Sequence, residues 1–379
     1  NDLKTALQKN KKKDIEKAII AMSGGVDSSV AAFLMKEKGY ECIGATMKLF
    51  QNEDVVVCRE HTCCSLDDVE DARSVARALE MPYYVFNFSD RFKEEVMEKF
   101  VCSYENACTP NPCIDCNRYL KFEKLFQRAK ELSYDYVVTG HYAQIEYNEE
   151  TGRYLLKKSV DLSKDQSYVL YSLTQDQLAH VQFPLGGMHK TEAREIAETQ
   201  GFINARKHDS QDICFVVNGK YSDFIEQYRG KTYPEGDFVD LEGNVLGRHK
   251  GIIRYTIGQR KGLGLALKES MYVVAVDPVK NQVILGRNED LFSRELIAND
   301  VNLISVDHIE GEMRVKAKVR YRHEEQWATV TQPEPDKIRV VFDEPQRAIT
   351  CGQAVVLYDG DVVVGGATII ETEIAKRYS

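Results

Sequence analysis

Two kinds of reactive residue mark this chain: a glycine–serine turn suited to an anion, and thiols at spacings suited to sulfur or metal chemistry. The run Ala18-Ile19-Ile20-Ala21-Met22-Ser23-Gly24-Gly25-Val26-Asp27-Ser28-Ser29-Val30 passes from an apolar stretch through small and hydroxyl residues into a second apolar stretch. That order predicts a buried strand, a tight turn and a helix. Adjacent glycines let backbone N–H groups approach an anion with no Cβ in the way, and the helix turns its positive end to the same point. Ser23, Ser28 and Ser29 add hydroxyl donors, and Asp27 suits a magnesium ion held against phosphates. The lysine of a G-x-x-x-x-G-K-[ST] loop is missing, so this is not a Walker-type site. The plainer alternative is an ordinary Gly-Gly turn between strand and helix.

The segment Thr109-Pro110-Asn111-Pro112-Cys113-Ile114-Asp115-Cys116-Asn117-Arg118 sets a Cys-x-x-Cys pair between a proline-stiffened loop and an expected helix. A helix amino end stabilises a thiolate, and Arg118 adds positive charge. Half of a zinc site is the alternative, but no second Cys-x-x-Cys completes it. A distant thiol, Cys214, lies in Lys207-His208-Asp209-Ser210-Gln211-Asp212-Ile213-Cys214-Phe215, where a core residue is the default reading. Cys58, His61, Cys63 and Cys64 are close enough in sequence for zinc, or are simple loop thiols. Cys42, Cys102, Cys108 and Cys351 carry no evident chemistry and are expected to pack.

These groups need a scaffold, and the first half of the chain supplies alternating patterns. Ile19–Met22, Glu41–Leu49, Tyr83–Phe88 and Tyr136–Gly140 read as strands, with helical periodicity over Ser28–Lys38, Leu66–Glu80, Arg91–Tyr104 and Arg118–Leu132. The alternation predicts an α/β domain with a parallel sheet and a ligand at the carboxyl ends of its strands. Two more helices are expected over Thr174–His180 and Thr191–Thr199. After Cys214 the texture becomes glycine-rich, through Tyr255-Thr256-Ile257-Gly258-Gln259-Arg260-Lys261-Gly262-Leu263-Gly264. Beyond Met271, short β-branched runs with turn signals predict a small β-barrel. The expected division is a catalytic domain over 1–215, a middle domain over 216–273 and a C-terminal barrel over 274–379.

With 379 residues, 43% of them apolar, the chain has enough material for two or three domains. No apolar run approaches about 18 residues, and no secretory pattern is visible, so a cytoplasmic protein with reduced thiols is expected. A net charge of −9 argues against a general nucleic-acid coat but not against a local basic face. Arg248, Lys250, Arg254, Arg260 and Lys261 form one acid-free cluster. Arg314, Lys316, Lys318, Arg320 and Arg322 alternate along an expected strand, which would set all five on one face. Together they favour an RNA-facing surface.

The SGGVDSS run resembles the loop of the ATP pyrophosphatases (the PP-loop superfamily), which cleave ATP to AMP and pyrophosphate while adenylating an oxygen. SGGVDSS, TPNPCIDCNRYLKF, TGHYA, KDQSY, DSQDICF and YTIGQRKGLG follow one another over most of the chain. In that order they resemble the tRNA-specific 2-thiouridylases, the MnmA family. The resemblance implies ATP and Mg2+, a tRNA substrate modified at the wobble uridine of lysine, glutamate and glutamine tRNAs, and a sulfur-donor protein (a cysteine desulfurase or relay). It implies a persulfide on Cys214 and a resolving thiol at Cys116. It places ATP on Ala21, Met22, Ser23, Gly24, Gly25, Val26, Asp27 and Ser28, with Met47 and Gly140 at the adenosine, although Met47 alone would read as core. Asn111, Pro112 and Cys113 match the segment beside the target base. Lys164, Asp165, Gln166, Arg320, Tyr321 and Gln353 match tRNA contacts, and Tyr321 could stack on an unpaired base. His141 matches a phosphate or RNA contact, or is a hydrogen-bonded structural histidine.

The chain departs from the family pattern at one point. Many members carry Asp, suggested as a catalytic base, where Cys113 stands. Cys113 cannot inherit that role, and its thiol opens an alternative in which Cys113, Cys116 and Cys214 hold a [4Fe-4S] cluster with an open iron position. Two further rivals are an ATP pyrophosphatase acting on a small substrate and an RNA-binding iron–sulfur or redox sensor.

Overall fold

A computed structural model describes residues 15–50, 66–209, 213–216, 220–266 and 268–378. Cys58, His61, Cys63 and Cys64, the residues of the expected zinc loop, lie outside the described residues. Strand β1 (Lys17–Ala21) is apolar on both faces because both are covered. Ile19 and Ala21 enter one core, while Ala18, Ile20 and Met22 enter another on the opposite side. Helix α1 (Val26–Glu37) leads from β1 to β2 (Glu41–Lys48), and helix Leu66–Ala78 leads from β2's side to β3 (Tyr83–Asn87). Strand β4 (Tyr136–Val138) is followed by a hairpin of β5 (Ala143–Asn148) and β6 (Arg153–Lys158), then by the short β7 (Val181–Gln182).

The sheet runs in the order β3-β2-β1-β4-β7 with every pair parallel. The chain winds outward in one direction from β1 to β3 and in the other through β4 and β7. The carboxyl ends of β1 and β4 therefore flank the switch point where open α/β sheets bind ligands. Between β3 and β4 lie two helical stretches, each with wide π turns at its centre. One runs through Ser89–Phe92, Lys93–Glu98 and Lys99–Glu105, the other through Pro112–Asp115, Cys116–Lys124 and Leu125–Glu131. The second starts six residues before the expected Arg118, because Asn111 caps it and Pro112 has no N–H to lose.

Strands β8 (Gly236–Val239), β9 (Val245–His249), β10 (Tyr272–Asp277) and β11 (Gln282–Gly286) form a separate sheet in the order β10-β11-β8-β9. The sequence reading had placed β10 and β11 in the barrel. They belong to the middle sheet because β11 pairs in parallel with β8, and Val273, Val283 and Leu285 share a core with Phe238 and Tyr255. An apolar hairpin looks the same in sequence whichever sheet receives it.

The barrel uses β12 (Phe292–Leu303), β13 (Met313–Lys318), β14 (Gln326–Glu334), β15 (Lys337–Arg347), β16 (Ala354–Asp359) and β17 (Val362–Thr372). Their order β12-β15-β14-β13-β16-β17 is closed by pairing of β12 with β17. Val315, Ala317, Val330, Val340 and Leu357 fill the interior. The hairpin β5–β6 adds to β17 from outside the ring, with Lys157 opposite Val362. Barrel residues Ile304, Ala354, Val356, Tyr358 and Val363 complete the same core as Ile19, Leu156, Tyr168 and Tyr171. Among the described residues no helix is long and apolar enough to cross a membrane.

The expected five-cation face is shorter than the sequence suggested. Arg314, Lys316 and Lys318 do alternate with buried Val315 and Ala317, but β13 ends at Lys318, so Arg320 and Arg322 leave the strand. Acids from elsewhere also meet the first basic cluster: Arg248 pairs with Asp237 at 2.7 Å and Arg254 with Glu226 at 2.8 Å.

Candidate active site

The glycine turn lies between β1 and α1. Gly25 caps α1 with no side-chain hydrogen bond, so the first N–H groups of the helix remain open to an anion. Gly24 holds φ +77°, and a Cβ there would stand 2.4 Å from the carbonyl oxygen of Asp68. Only glycine meets both demands. Gly140, beyond β4, abuts the same turn: a Cβ on it would lie 2.7 Å from the carbonyl carbon of Asp27 and 2.8 Å from the amide nitrogen of Ser28. The residues matched to ATP binding therefore gather at the sheet's switch point, with Met47 at the end of β2 packed between two cores.

The hydroxyls divide differently from expectation. Ser28 and Ser29 both donate to the Gly25 carbonyl, at 3.0 and 3.1 Å, and so brace the turn itself. Ser23 is the exposed one. Asn204 ties the turn from behind, donating to the Gly24 carbonyl and the Ser29 hydroxyl at 2.9 Å each.

Asp27 is embraced by a residue the motifs did not flag. Lys190 Nζ lies 2.7 Å from each carboxylate oxygen of Asp27, and Tyr142 donates its hydroxyl to Oδ1 at 2.9 Å. Lys190 also lies 2.7 Å from Asp209, which accepts from Lys164 at 2.9 Å. Burial alone would raise the Asp209 carboxyl, but the Lys190 and Lys164 ammoniums outweigh it and hold the group below its ordinary value. An ionic chain thus runs Asp27–Lys190–Asp209–Lys164. It joins the glycine turn to the KDQSY segment and to the residues leading to Cys214. Lys190 escaped the sequence reading because a single lysine at a helix start carries no pattern.

The thiols separate into two environments. Cys116 and Cys214 pack against one apolar cluster that includes Phe92, Phe100, Leu120 and Phe215. Cys113 is exposed, three residues earlier on the same helix, and its amide donates to Asn111 Oδ1 at 3.2 Å. It is near enough to raise the Tyr321 phenol, after burial and Asp165. Among the described residues, which include all three thiols, no three His, Cys, Asp or Glu side chains form a metal-holding group. The cluster alternative is accordingly not favoured.

Asp115, between the two thiols of the Cys-x-x-Cys pair, is perturbed. Burial pushes its carboxyl up to about 7 against the pull of Lys99 and Arg118. Cys108 and Cys351 were expected merely to pack. Their thiols share a hydrogen bond that lowers Cys108 and raises Cys351, and Thr109 N donates to the Cys351 carbonyl at 2.9 Å.

The residues matched to tRNA are only partly on the surface. Tyr321 is 38% exposed, with its hydroxyl 3.2 Å from the Asp165 carbonyl. Asp165 folds its own turn, accepting from Ser159 N and Ser167 Oγ at 3.0 and 2.7 Å. Gln166 exchanges bonds with Tyr142, its side chain accepting from Tyr142 N at 2.9 Å. Gln353 donates to the carbonyls of Thr109 and Pro110, at 2.8 and 3.2 Å, and fastens the thiol loop to the barrel. His141 is buried beside Phe122 and Phe183, 2.7 Å from Thr139 Oγ1, and burial holds it well below its ordinary value. In this conformation His141 is a hydrogen-bonded histidine of the core, one of the two roles its sequence context offers.

Comparisons with known proteins follow this division. Residues 16–218 match the family described as tRNA methyl transferase HUP domain, 222–287 its PRC-barrel domain, and 293–369 the aminomethyltransferase beta-barrel domain. The tRNA-specific 2-thiouridylase MnmA of Clostridioides difficile is 53% identical over 93% of this chain and 98% of its own. The MnmA 2 protein of Caldanaerobacter subterraneus subsp. tengcongensis is 53% identical over 97% of this chain and 100% of its own. Among solved structures, a 4-thiouridine synthetase–RNA complex with bound ATP aligns over 56% of this chain and 50% of that one. Its TM-score of 0.37 and identity of 21% are too low to add to the assignment. Half-identity along nearly the full length, with the glycine turn and the two thiol segments in place, means that this chain belongs to the MnmA family of tRNA-specific 2-thiouridylases.

Proposed function

We propose that the chain is an ATP-dependent tRNA uridine 2-sulfurtransferase acting on the wobble uridine of lysine, glutamate and glutamine tRNAs. The observation that carries the sulfur chemistry is the packing of Cys116 and Cys214, from distant segments, against one apolar cluster. The Cys214 segment is in turn tied through Asp209 and Lys190 to Asp27 of the glycine turn.

ATP enters as the magnesium complex of the substrate. The open N–H groups of α1 and the Cβ-free surface of Gly24, Gly25 and Gly140 suit its phosphates, and Asp27, on exchanging its Lys190 contact, would hold the accompanying ion. That ion supplies charge neutralisation for the departing pyrophosphate. The uracil carbon-2 oxygen attacks the α-phosphorus and pyrophosphate leaves, making AMP the leaving group on carbon 2. The outer sulfur of a Cys214 persulfide, delivered by a sulfur-donor protein, adds to carbon 2 and AMP departs. The Cys116 thiolate then attacks Cys214 Sγ. The bond from Cys214 to the transferred sulfur breaks, the base keeps that sulfur and its electron pair, and a Cys116–Cys214 disulfide is left for a dithiol reductant.

The test is anaerobic thiolation of unmodified glutamate tRNA with ATP, magnesium and a cysteine desulfurase with cysteine, read by nucleoside mass spectrometry. The parent and Cys113→Ala are expected to form 2-thiouridine, whereas Cys116→Ala and Cys214→Ala release AMP only with RNA present and form none. AMP release without RNA would identify a small-substrate adenylating enzyme instead.

A further inference from the structure

Two thiols that the sulfur transfer does not use are held face to face. Cys108 follows the helical stretch that ends at Glu105, and Cys351 lies between β15 and β16 of the barrel. Each is fixed by its own segment. Cys108 N donates to the Ser103 carbonyl at 2.8 Å, and Gly352 N donates to the Ile369 carbonyl of β17 at 2.9 Å. The two segments then meet backbone to backbone. Thr109 N donates to the Cys351 carbonyl at 2.9 Å, and Gln353 donates to the Thr109 and Pro110 carbonyls at 2.8 and 3.2 Å. A Cβ on Gly352 would stand 3.1 Å from Cys108 Cβ and 3.0 Å from the Thr109 carbonyl oxygen. Across this seam the two Sγ atoms share a hydrogen bond, and both residues are half-buried. Sulfurs already within that reach need only a small shift to bond.

The proton divides unequally. The shared bond lowers Cys108 and raises Cys351, which burial raises further. Cys351 Sγ also lies 3.3 Å from the Ile370 carbonyl. Cys108 is thus the thiolate partner and Cys351 the proton holder. The neighbours of the remaining idle thiols are not sulfur: Cys42 Sγ faces the Tyr40 carbonyl at 3.5 Å, and Cys102 Sγ faces Glu98 and Arg229 at 3.2 Å each.

We infer that Cys108 and Cys351 are a redox site for a hydroperoxide, closing to a reversible disulfide that ties the segment bearing Cys113 and Cys116 to the barrel. The Cys108 thiolate attacks the hydroxyl oxygen of the peroxide and the O–O bond breaks. Cys108 becomes a sulfenic acid, and the departing oxyanion takes up the proton lost in forming the thiolate. Cys351 Sγ then attacks Cys108 Sγ. The S–O bond breaks, and hydroxide leaves with the Cys351 proton as water. Two thiols have then given two electrons to one O–O bond, and exchange with a dithiol restores both. Asn111, Cys113 and Cys116 stand a few residues beyond Cys108, so covalent closure restrains the loop that carries them.

The experiment titrates the reduced full chain with hydrogen peroxide, caps the remaining thiols with iodoacetamide and locates disulfides by peptide fragmentation. Amide hydrogen exchange is followed on the same samples. The parent is expected to form the Cys108–Cys351 link at peroxide levels that leave Cys42 and Cys102 as thiols, and to lose it with dithiothreitol. Exchange over 109–113 should slow several-fold in the linked form. In Cys351→Ser, Cys108 should proceed to the sulfinic acid and the exchange should stay as in the reduced parent, which separates this link from one between Cys116 and Cys214. The parent's own map decides the matter even where that variant misfolds. Cys108 linked to Cys113, or over-oxidised in the parent while Cys351 remains a thiol, would overturn the inference. A Cys108–Cys351 link with unaltered exchange over 109–113 would overturn the tie to the barrel.

Discussion

Lys190 holds Asp27 symmetrically, with its ammonium 2.7 Å from both carboxylate oxygens, and contacts Asp209 at the same distance. Its side chain is 9% exposed, so truncation leaves two carboxylates facing a shielded gap. Lys190→Met is expected to destabilise the fold by about 3–5 kcal/mol in urea unfolding. Adding Asp27→Asn removes one stranded charge and should recover about 1–3 kcal/mol of that loss. Strictly additive costs would show that the pair is not coupled.

Gly140 leaves no room for a methyl group against Asp27 and Ser28. Gly140→Ala should displace the turn and weaken ATP binding by about tenfold, equivalent to ~1.4 kcal/mol. Equilibrium ATP binding to the folded variant checks this. Parent-like affinity would detach Gly140 from the nucleotide site.

Asp115 gives a pH signature. Its folded value of about 7 lies above the ordinary 3.8, so the folded state keeps a proton that the unfolded state has already released. Stability contributed by that proton is present at low pH and is lost as pH rises between those two values. Asp115→Asn, which mimics the protonated form, should match the parent near pH 4 and have a higher unfolding midpoint at pH 8. A constant difference across the range would refute the assignment.

The thiols should differ in alkylation. The shared hydrogen bond favours the Cys108 thiolate, whereas burial pushes Cys42 up to about 11. Timed iodoacetamide labelling at pH 8, mapped by peptide mass spectrometry, should modify Cys108 before Cys42. Cys351→Ala removes the neighbouring thiol that lowers Cys108 and should slow labelling of Cys108.

The parallel sheet was legible because buried strands and long amphipathic helices have strong local periodicities, and β1 through β4 lie within a few residues of their expected limits. Strand β12 was missed since Arg294, Asn299 and Asp300 interrupt its apolar pattern on a barrel whose outside is wet. Hairpin β5–β6 was missed because Glu146, Asn148, Arg153, Lys157 and Lys158 dilute its apolar alternation, although its strands pair locally from Ala143–Lys158 to Asn148–Arg153. In the site, glycines and cysteines announced themselves by type and spacing. Lys190, Asp115 and the Cys108–Cys351 contact did not: Lys190 meets Asp27 and Cys108 meets Cys351 across more than a hundred residues, and Asp115 is set by burial, none of which is written locally.

The pairing of β6 with β17, and of Tyr168 Oη with the Ala354 carbonyl at 2.8 Å, bears on how the polypeptide matures on the ribosome. The parallel sheet emerges early, yet Leu156, Tyr168 and Tyr171 stay uncovered until Val356, Tyr358 and Val363 have been synthesised. Domains usually fold as they appear, N-terminal first, but this one must wait for a segment made nearly last. Leu156, Tyr168 and Tyr171 thus leave the ribosome well before the residues that cover them, an interval in which a chaperone would shield them.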